Sequence, residues 1–225
     1  MKSSRRTGIL SEDEMFGSPS TALVLAPHTD DGEFGCGGTI ARLVESGWRV
    51  VYAAYSSCDE SLPGSMERGT LIKEASAATG RLGIVSDDVH IFDFPVRRFS
   101  DHRQDILQAT IDLGRSVEPS VVFMPSLHDL HQDHQVVASE GCRAFKRLRL
   151  LSYELPWNNL SFSTQAFSAL EERHVVKKIS AIAAYESQAD RSYVSPEYQR
   201  AHLITRGLQV NAPFAECFEV VRWIL

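Results

Sequence analysis

Short apolar runs alternate with segments of helical periodicity along this chain. The runs predict buried strands, because about four to eight consecutive apolar residues bounded by turn residues fit a sheet that is covered on both faces. Between the runs, apolar residues recur with the spacing of one face of an amphipathic helix. Strands are predicted at about 21–27, 50–55, 89–92, 121–124 and 150–155, and helices at about 37–47, 66–82, 136–148 and 171–185, with one more helix that starts at Asp101. This alternation predicts an α/β fold with a mostly parallel, doubly wound sheet.

Length and composition favour one domain. The chain has 225 residues, of which 43% are hydrophobic and 23% are charged, and such values are ordinary for a globular protein. Residues 1–19 are polar and charged, so we expect a flexible N-terminal tail there. No linker-like composition interrupts 20–225, and this range is therefore predicted to be a single domain.

The net charge, the cysteine spacing and the lack of long apolar runs indicate which partners and which location to expect. The net charge is −6, and this disfavours nucleic acid, because phosphate backbones select for Lys and Arg. The four cysteines form no Cys-x-x-Cys pair, so we expect reduced thiols and a cytoplasmic location. No secretory signal and no apolar run of about 18 residues is present, so no integral membrane segment is expected. The sequence leaves a homo-oligomer open.

A histidine and two aspartates lie on the loop after the first predicted strand. His28, Asp30 and Asp31 follow the apolar run 23–26, and the glycine-rich segment 35–38 leads into the next helix. Ligands bind at such loops in open α/β sheets. An imidazole and two carboxylates there indicate a metal site or an acid–base site. A capped, solvated turn is the simpler alternative, but it explains neither the histidine nor the glycines.

A second polar cluster follows the predicted strand at 121–124. It reads His-Asp-Leu-His-Gln-Asp-His over residues 128–134. Loops that leave the carboxyl ends of parallel strands emerge at the same edge of the sheet, so we expect the two clusters to converge.

Convergence of the clusters would supply a catalytic zinc site. Such a site has three N or O ligands and one position open for water. His28 and Asp31 could bind one ion, with His134 or His131 as the third ligand. A carboxylate beside the water could act as general base, and Asp30 is the candidate.

The histidine that is not a ligand could stay charged and stabilise an oxyanion or protonate the leaving group. Asp133 could orient that histidine by a hydrogen bond. Hydrolysis of a small amide or ester is the reaction that this assembly favours.

Dinucleotide binding is the competing interpretation of the glycine-rich loop. Its fingerprint is G-x-G-x-x-G, whereas this chain has Gly35-x-Gly37-Gly38. Two carboxylates also occupy the turn where a pyrophosphate would lie, and they would repel it. The pattern therefore argues against a nicotinamide cofactor.

Five segments resemble, in order, the motifs of the LmbE/PIG-L family of zinc-dependent N-acetylglucosaminyl-type deacetylases. The first cluster resembles the family's A-H-P-D-D-E loop, although here the proline precedes the histidine and the acidic residue is displaced to Glu33. The other matches are His131-Gln-Asp-His134 with H-P-D-H, 74–83 with a helix that ends in Leu-Gly, 177–188 with K-x-x-A-x-x-x-[HY]-x-S-Q, and 206–218 with R-G…Y-A-E-x-F. Together they cover roughly residues 20 to 220.

The resemblance implies a Rossmann-like three-layer sandwich and a zinc-dependent hydrolase. The implied reaction removes an N-acetyl group from a small amino sugar or its conjugate. The implied roles are zinc ligands for His28, Asp31 and His134, general base for Asp30, assistance at the tetrahedral intermediate for His131, and support of that histidine for Asp133. One Zn²⁺ per chain is implied, and another divalent transition metal stays an alternative.

Basic and aromatic residues outside the clusters are candidate substrate contacts. Arg97 and Arg98 belong to a basic island that could bind an anionic group, although a solvated face is the simpler interpretation. Trp157 could stack on a sugar, and core packing explains it equally well. The family often uses an arginine near the substrate, and Arg68 and Lys73 both lie in that region of this chain. Leu71 occupies a position where relatives often have Arg, so that role stays open.

Two other functions stay open at this point. One is an α/β protein that holds Mg²⁺ through its carboxylates and binds or transfers a sugar nucleotide. The histidines argue against it, because Mg²⁺ prefers oxygen ligands. The other is a catalytically inactive relative that acts as a binding module, and the complete set of ligands with Asp30 argues against that.

Overall fold

The structure is a computed structural model that describes residues 20–62 and 66–224. The strands are β1 (Thr21–Ala26), β2 (Arg49–Ala54), β3 (Val89–Ile91), β4 (Val121–Pro125), β5 (Arg149–Tyr153), β6 (Ala166–Leu170) and β7 (Phe214–Arg222). The α-helices are α1 (Asp31–Glu45), α2 (Thr70–Leu82), α3 (Arg103–Val117), α4 (Gln132–Ala144), α5 (Glu172–Ile182) and α6 (Pro196–Leu208). The tail expected at 1–19 lies outside the described residues, and the single domain expected over 20–225 stays a prediction.

The strands form one sheet in the order β3-β2-β1-β4-β5-β7-β6. Strands β1 to β5 are parallel, and β7 is antiparallel to both β5 and β6. This confirms the α/β fold with a mostly parallel, doubly wound sheet. The chain builds outward from β1 to β2 and β3, and then returns to place β4 on the other side of β1. The carboxyl ends of β1 and β4 therefore lie side by side, at the point where ligands bind in such sheets.

Helices cover both faces of the sheet. On one face α1, α2 and α5 bury apolar side chains such as Ile40, Leu82 and Ile182. On the other face α3 and α4 bury Ile106 and Val137. The two cores confirm the three-layer sandwich. None of the helices in the described ranges combines the length and the apolar composition that crossing a bilayer requires.

Helix α1 begins at Asp31, six residues before the predicted start at 37. A kink divides the helix into two parts, and the predicted start coincides with the start of the second part. Cys36 has non-helical backbone angles, with φ −145° and ψ 24°. Beyond the kink, the Glu216 carboxylate of β7 accepts the N–H groups of Gly38 at 2.9 Å and Thr39 at 2.7 Å. A side chain from a distant strand thus caps the second half of the helix, which is the part that the sequence pattern detected.

The glycines of α1 allow the helix to lie close against its neighbours. A Cβ atom at Gly35 would overlap the ring of Tyr153, and one at Gly38 would overlap Leu170. These positions explain the glycine-rich segment by close packing rather than by phosphate binding.

Besides strand β7, two elements were not predicted from the sequence pattern. Strand β6 is a short edge strand that pairs with β7 alone. Helix α6 is mostly polar, and its fully buried positions are Gln199, Leu203 and Gly207. Neither element has the continuous apolar run or apolar stripe on which the prediction relied.

Candidate active site

The two predicted loops meet at the sheet edge. His28 lies on the loop after β1, and His134 lies in the first turn of α4, which follows β4. Nδ1 of His28 and Nε2 of His134 are 3.2 Å apart, although the residues are 106 positions apart in the sequence. The predicted convergence is therefore confirmed.

Asp31 completes a triangle of potential ligand atoms with these two histidines. Its Oδ2 atom lies 3.2 Å from Nδ1 of His28 and 3.2 Å from Nε2 of His134. A tetrahedral ion with ligands at about 2.0–2.1 Å holds neighbouring ligand atoms about 3.3–3.4 Å apart. Two imidazoles and a carboxylate with these spacings match the donor set and the size of a zinc site.

The three histidines of the region form a second possible group of ligands. The ring nitrogens of His28, His131 and His134 all lie within 4.8 Å of one another. We favour the group that contains Asp31, because all three of its edges are 3.2 Å long. His131 then stays available for a role beside the ion.

Each of the two histidines of the triangle is held by a carboxylate on its other nitrogen. Nε2 of His28 lies 3.1 Å from Oδ2 of Asp133, and Nδ1 of His134 lies 2.8 Å from Oδ2 of Asp129. Because each of these nitrogens donates to a carboxylate, the nitrogen that faces the triangle is free to bind a cation.

The expected pairing of the Asp133 carboxylate with His131 is wrong. The carboxylate accepts from His28 and from the backbone N–H groups of Arg97 at 2.6 Å and Phe99 at 3.3 Å. Asp133 is hydrogen-bonded to His131 through its backbone N–H instead. The reason is geometric, because Asp133 lies in the first turn of α4 and points its side chain toward the loop after β1.

The triangle attracts positive charge. Burial alone would lower the pKa of His28, but the Asp31 charge and hydrogen bonds to Asp133 and Asp31 raise it to about 9. Burial likewise opposes protonation of His134, yet Asp31 and Asp129 raise its pKa to about 10. Burial would raise the pKa of Asp31, and the two histidines hold it well below its usual value instead. A cation bound here would take the place of a proton.

Asp30 is placed as a free carboxyl group beside the triangle. It occupies the N-cap position of α1, but its side chain makes no capping hydrogen bond. Burial and the neighbouring Asp31 charge raise the pKa of Asp30 to about 6. A group that titrates near neutrality can accept a proton and return it. The capped-turn interpretation is not supported for this residue.

His131 is held as a neutral ring with a defined hydrogen position. Its Nδ1 atom accepts the backbone N–H of Asp133 at 3.2 Å, so the hydrogen of the neutral ring is on Nε2. Burial and the positive charges of His134 and His28 lower the pKa of His131 to about 4. The charged form that we considered from the sequence is therefore disfavoured, and a bound cation would act in the same direction.

A cavity of about 360 Å³ opens over these residues. Its lining includes residues of both predicted loops, namely His28, Asp30, Asp31, His131 and His134. The side chains that the sequence brought together therefore face open space in which a small molecule could lie.

The opposite wall of the cavity is aromatic. Trp157 and Tyr193 stack with ring centroids 4.1 Å apart and an interplanar angle of 8°, and Phe34 packs edge-on against both. Arg97 also lines the cavity. Two of the four predicted substrate contacts, Trp157 and Arg97, are therefore placed where a substrate could touch them.

The other two predicted substrate contacts lie outside this cavity. Arg68 is 84% exposed and pairs with Asp59 at 3.4 Å, beside a smaller neighbouring cavity. Arg98 turns away to Asp101, with its Nε 3.2 Å from the carboxylate. Each guanidinium is paired with a carboxylate outside the lining of this cavity, so neither supports the predicted role.

A buried network behind the first loop was missed in the sequence. The hydroxyl of Tyr52 donates to Glu33, and the hydroxyl of Tyr185 lies 3.1 Å from the other oxygen of that carboxyl group. Both hydroxyls also contact the carbonyl oxygen of Thr29, at 2.9 and 2.6 Å. Burial raises the pKa of Glu33 to about 8. The network fixes the backbone between His28 and Asp30, and its signals in the sequence were the displaced Glu33 and the tyrosine of the 177–188 motif.

Other site residues had little or no signal in the sequence. Asp129 could be interpreted as a helix cap, yet it is buried and supports His134. Arg191 lines the cavity from the segment before α6, as does Gln188, which is the last residue of the 177–188 motif. Segments without regular periodicity give no indication of where their side chains point.

Known proteins resemble this chain in both sequence and structure. The profile of the family described as "PIG-L: GlcNAc-PI de-N-acetylase" matches residues 23–145, which is more than half of the chain. The Escherichia coli (strain K12) protein named "Uncharacterized deacetylase YaiS" is 28% identical over 171 residues, covering 73% of this chain and 90% of that protein.

An archaeal and a bacterial protein extend the comparison. Diacetylchitobiose deacetylase from Thermococcus kodakarensis is 26% identical over 140 residues, which are 59% of this chain and 51% of that protein. The crystal structure of the conserved protein TT1542 from Thermus thermophilus is 26% identical and superimposes with a TM-score of 0.79, covering 91% of this chain and 96% of that one. The resemblance inferred from the motifs is thus confirmed.

Proposed function

This chain belongs to the PIG-L family of GlcNAc-PI de-N-acetylases, and from that premise we propose that it is a zinc-dependent hydrolase that removes an N-acetyl group from an amino sugar or its conjugate. The observation that carries the proposal is the triangle of His28, Asp31 and His134 with the uncapped carboxyl group of Asp30 beside it. Relatives that are named deacetylases, one of them for diacetylchitobiose, support the reaction and the substrate class.

The ion would be held by Nδ1 of His28, Oδ2 of Asp31 and Nε2 of His134. Asp133 and Asp129 would keep both imidazoles in the tautomer that presents a lone pair. When bound, zinc supplies Lewis-acid polarisation of the amide carbonyl and lowers the pKa of a coordinated water toward neutrality.

Asp30 would act as the general base and then as the general acid. Its carboxylate would accept a proton from the attacking water, and its raised pKa of about 6 lets it hold that proton until the tetrahedral intermediate collapses. The leaving nitrogen then receives the proton, which makes it a good leaving group. Freedom from any capping bond is what makes the carboxylate available for both steps.

His131 would stabilise the negative oxygen that develops at the amide carbon. The neutral ring carries its hydrogen on Nε2, as fixed by the Asp133 backbone, and donates it toward the oxyanion. Because the pKa of its protonated form is low, His131 stays a neutral ring and does not compete with Asp30 for a proton.

The cavity supports a small substrate of sugar size. Its volume of about 360 Å³ lies within the range of small-molecule sites, roughly 300–1,000 Å³. The stacked pair of Trp157 and Tyr193 offers an aromatic wall of the kind on which the apolar face of a sugar ring packs.

Metal content is the first test of the proposal. We expect about one zinc per chain in wild-type protein purified without chelators or affinity histidines, as for a catalytic zinc site. His134→Ala should lose most of it. The matched control is His128→Ala, an exposed histidine of the same segment, which should retain the metal. A wild-type protein that stays free of zinc after zinc is supplied would contradict the proposal.

Acetate release is the second test. Wild-type protein loaded with zinc should release acetate from N-acetylglucosamine or diacetylchitobiose. Retention of a sugar nucleotide with Mg²⁺ and without zinc would favour the transferase alternative. Zinc binding without release of acetate from any N-acetylated sugar would favour the inactive relative.

A further inference from the structure

Two arginines line the cavity without a carboxylate partner. The Arg97 guanidinium has one polar contact, a weak one of 3.5 Å to Oγ of Ser61, and Arg191 has none from its side chain among residues 20–62 and 66–224. Most other arginines are paired. Those with a carboxylate within ion-pair distance are Arg49, Arg68, Arg98, Arg103, Arg115, Arg143, Arg173, Arg200 and Arg206. Both residues are exposed, and they bring two positive charges to the lining of one cavity in a chain of net charge −6.

The backbone of Arg97 is built into the site. Its φ of 66° lies in the left-handed region, which is unfavourable for a residue with a side chain. Its N–H donates to the buried carboxylate of Asp133 at 2.6 Å, and that carboxylate also holds His28. Arg97 also lines the cavity that opens over these residues. Arg98, the next residue, turns to Asp101 instead.

Arg191 lines the same cavity from a different segment of the chain. It lies two residues before Tyr193, which stacks on Trp157. Both of these aromatic residues line the cavity as well. Burial raises the pKa of Tyr193, and the charge of Arg191 acts against that rise.

We propose that Arg97 and Arg191 bind an anionic group of the substrate, a carboxylate or a phosphate ester carried by the sugar or its aglycone. The inference rests on the proposed function, since it names the class of amino sugar that the same site takes. Guanidinium groups match the planar oxygen pairs of both anions and form charge-assisted hydrogen bonds with them. The aromatic wall would receive the ring of the sugar while the two arginines select its charge.

The affinity of the protein for amino sugars that lack an acetyl group tests the anion site separately from hydrolysis. The probes are glucosamine, which lacks the anion, glucosamine 1-phosphate and glucosamine 6-phosphate, which carry a phosphate ester, and muramic acid, which carries a carboxylate. We expect at least one anionic probe to bind the zinc-loaded protein about tenfold or more tightly than glucosamine, as charge-assisted bonds allow. The probe that binds more tightly than glucosamine shows whether the site selects a phosphate ester or a carboxylate.

Single variants test which arginine is responsible for the higher affinity for an anionic probe. Arg97→Gln and Arg191→Gln should each lower the ratio of anionic-probe affinity to glucosamine affinity, measured in the same variant, most of the way to one. The control is Arg98→Gln, which removes the same charge one residue away and should keep the full gain. Unchanged melting temperatures and zinc contents would show that the variants are folded and loaded.

Two results would overturn the inference. One is equal affinity for glucosamine and all three anionic probes, and the other is a gain that survives in the Arg97→Gln/Arg191→Gln double variant. Acetate release from the matching N-acetylated sugars, measured in parallel, separates the two proposals. Release without discrimination by charge supports the hydrolase and refutes the anion site, whereas selective binding without release supports the anion site and refutes the hydrolase.

Discussion

Two buried polar clusters lie at different points of helix α1, and they differ in how their charges are satisfied. At the kink, Nζ of Lys178 donates to the carbonyl of Phe34 at 2.5 Å and to Glu216 at 2.7 Å, and the Glu216 carboxylate also accepts from Gly38 and Thr39. Each charged group there meets partners of opposite polarity.

The cluster at the start of the helix lacks this internal balance. The atoms of His28, Asp31 and His134 that face one another at 3.2 Å are all lone-pair donors when the outer nitrogens donate to Asp133 and Asp129. One proton can form a hydrogen bond between only two of these three atoms, whereas a metal cation can be coordinated by all three. A buried polar cluster whose donors and acceptors are all paired with one another stabilises the fold. A cluster whose lone pairs point at one common position is suited to bind a cation there.

Asp30→Asn should give the largest change, and it tests whether the first cluster is catalytic. Loss of the general base should reduce the rate of acetate release by about 10²- to 10⁴-fold. Zinc content and melting temperature should stay unchanged, because the side chain makes no capping bond. Steady-state kinetics with metal analysis measure both quantities. Full activity with metal bound would refute the role of Asp30.

Lys178→Met breaks the other cluster and should act on stability instead. Removing one member of a buried ion pair leaves Glu216 without its counter-charge and should cost about 3–5 kcal/mol in the free energy of unfolding. Denaturant unfolding measures the loss, with the adjacent and less buried Lys177→Met as control. Zinc per folded chain should be unaffected. A variant that lost zinc but kept its stability would show that the two clusters are not separate in function.

Asp129→Asn sharpens the comparison within the first cluster. The amide can still contact His134 but no longer raises its basicity, so zinc affinity should fall by about 10- to 100-fold. Asp133→Asn should act similarly through His28. Competition with a chelator of known affinity measures the change, with the exposed Asp105→Asn as control. An unchanged zinc affinity in both variants would exclude support by these carboxylates.

The smallest expected effect concerns a third cluster, at Glu154, which resembles the one at the kink. Burial alone would raise the pKa of Glu154, but hydrogen bonds from His202 and Arg206 lower it to about 2. Because the folded-state pKa lies below the unfolded one, the ionised group stabilises the fold above the unfolded pKa, and this contribution is lost as the pH falls toward about 2.

Wild type and Glu154→Gln should therefore differ in melting temperature at neutral pH and converge under acidic conditions. The wild-type protein should be the more stable of the two near neutrality, and zinc affinity should be the same in both. A difference in melting temperature that stayed constant down to about pH 2 would contradict the assignment of this pKa.

The sequence was sufficient for the parts of the molecule that follow from chain topology. His28, Asp31 and His134 could be brought together because each follows a parallel strand, and such strands end at one edge. Asp30 was predicted as the general base from its position beside Asp31, and that role stays a prediction. These inferences needed the order of the elements and not the direction of any side chain.

Side-chain direction is what the sequence could not supply. Asp133 was assigned to His131, but the first turn of α4 points its carboxylate at His28. Arg98 turns away from the cavity while Arg97 faces it, because a left-handed backbone at Arg97 separates two neighbours of identical type. Arg191 lies on a segment without periodicity, and strand β6 lies at an edge where burial is incomplete.

The long separation between His28 and His134 also has a consequence for folding. Their contact spans 106 residues of the chain, and contacts of such high order form slowly, after β1 and β4 have found each other. An ion that binds only the joined strands favours the assembled sheet by mass action. A bound zinc ion, as proposed, would thus also stabilise the assembled sheet, and its removal by a chelator should lower the free energy of unfolding.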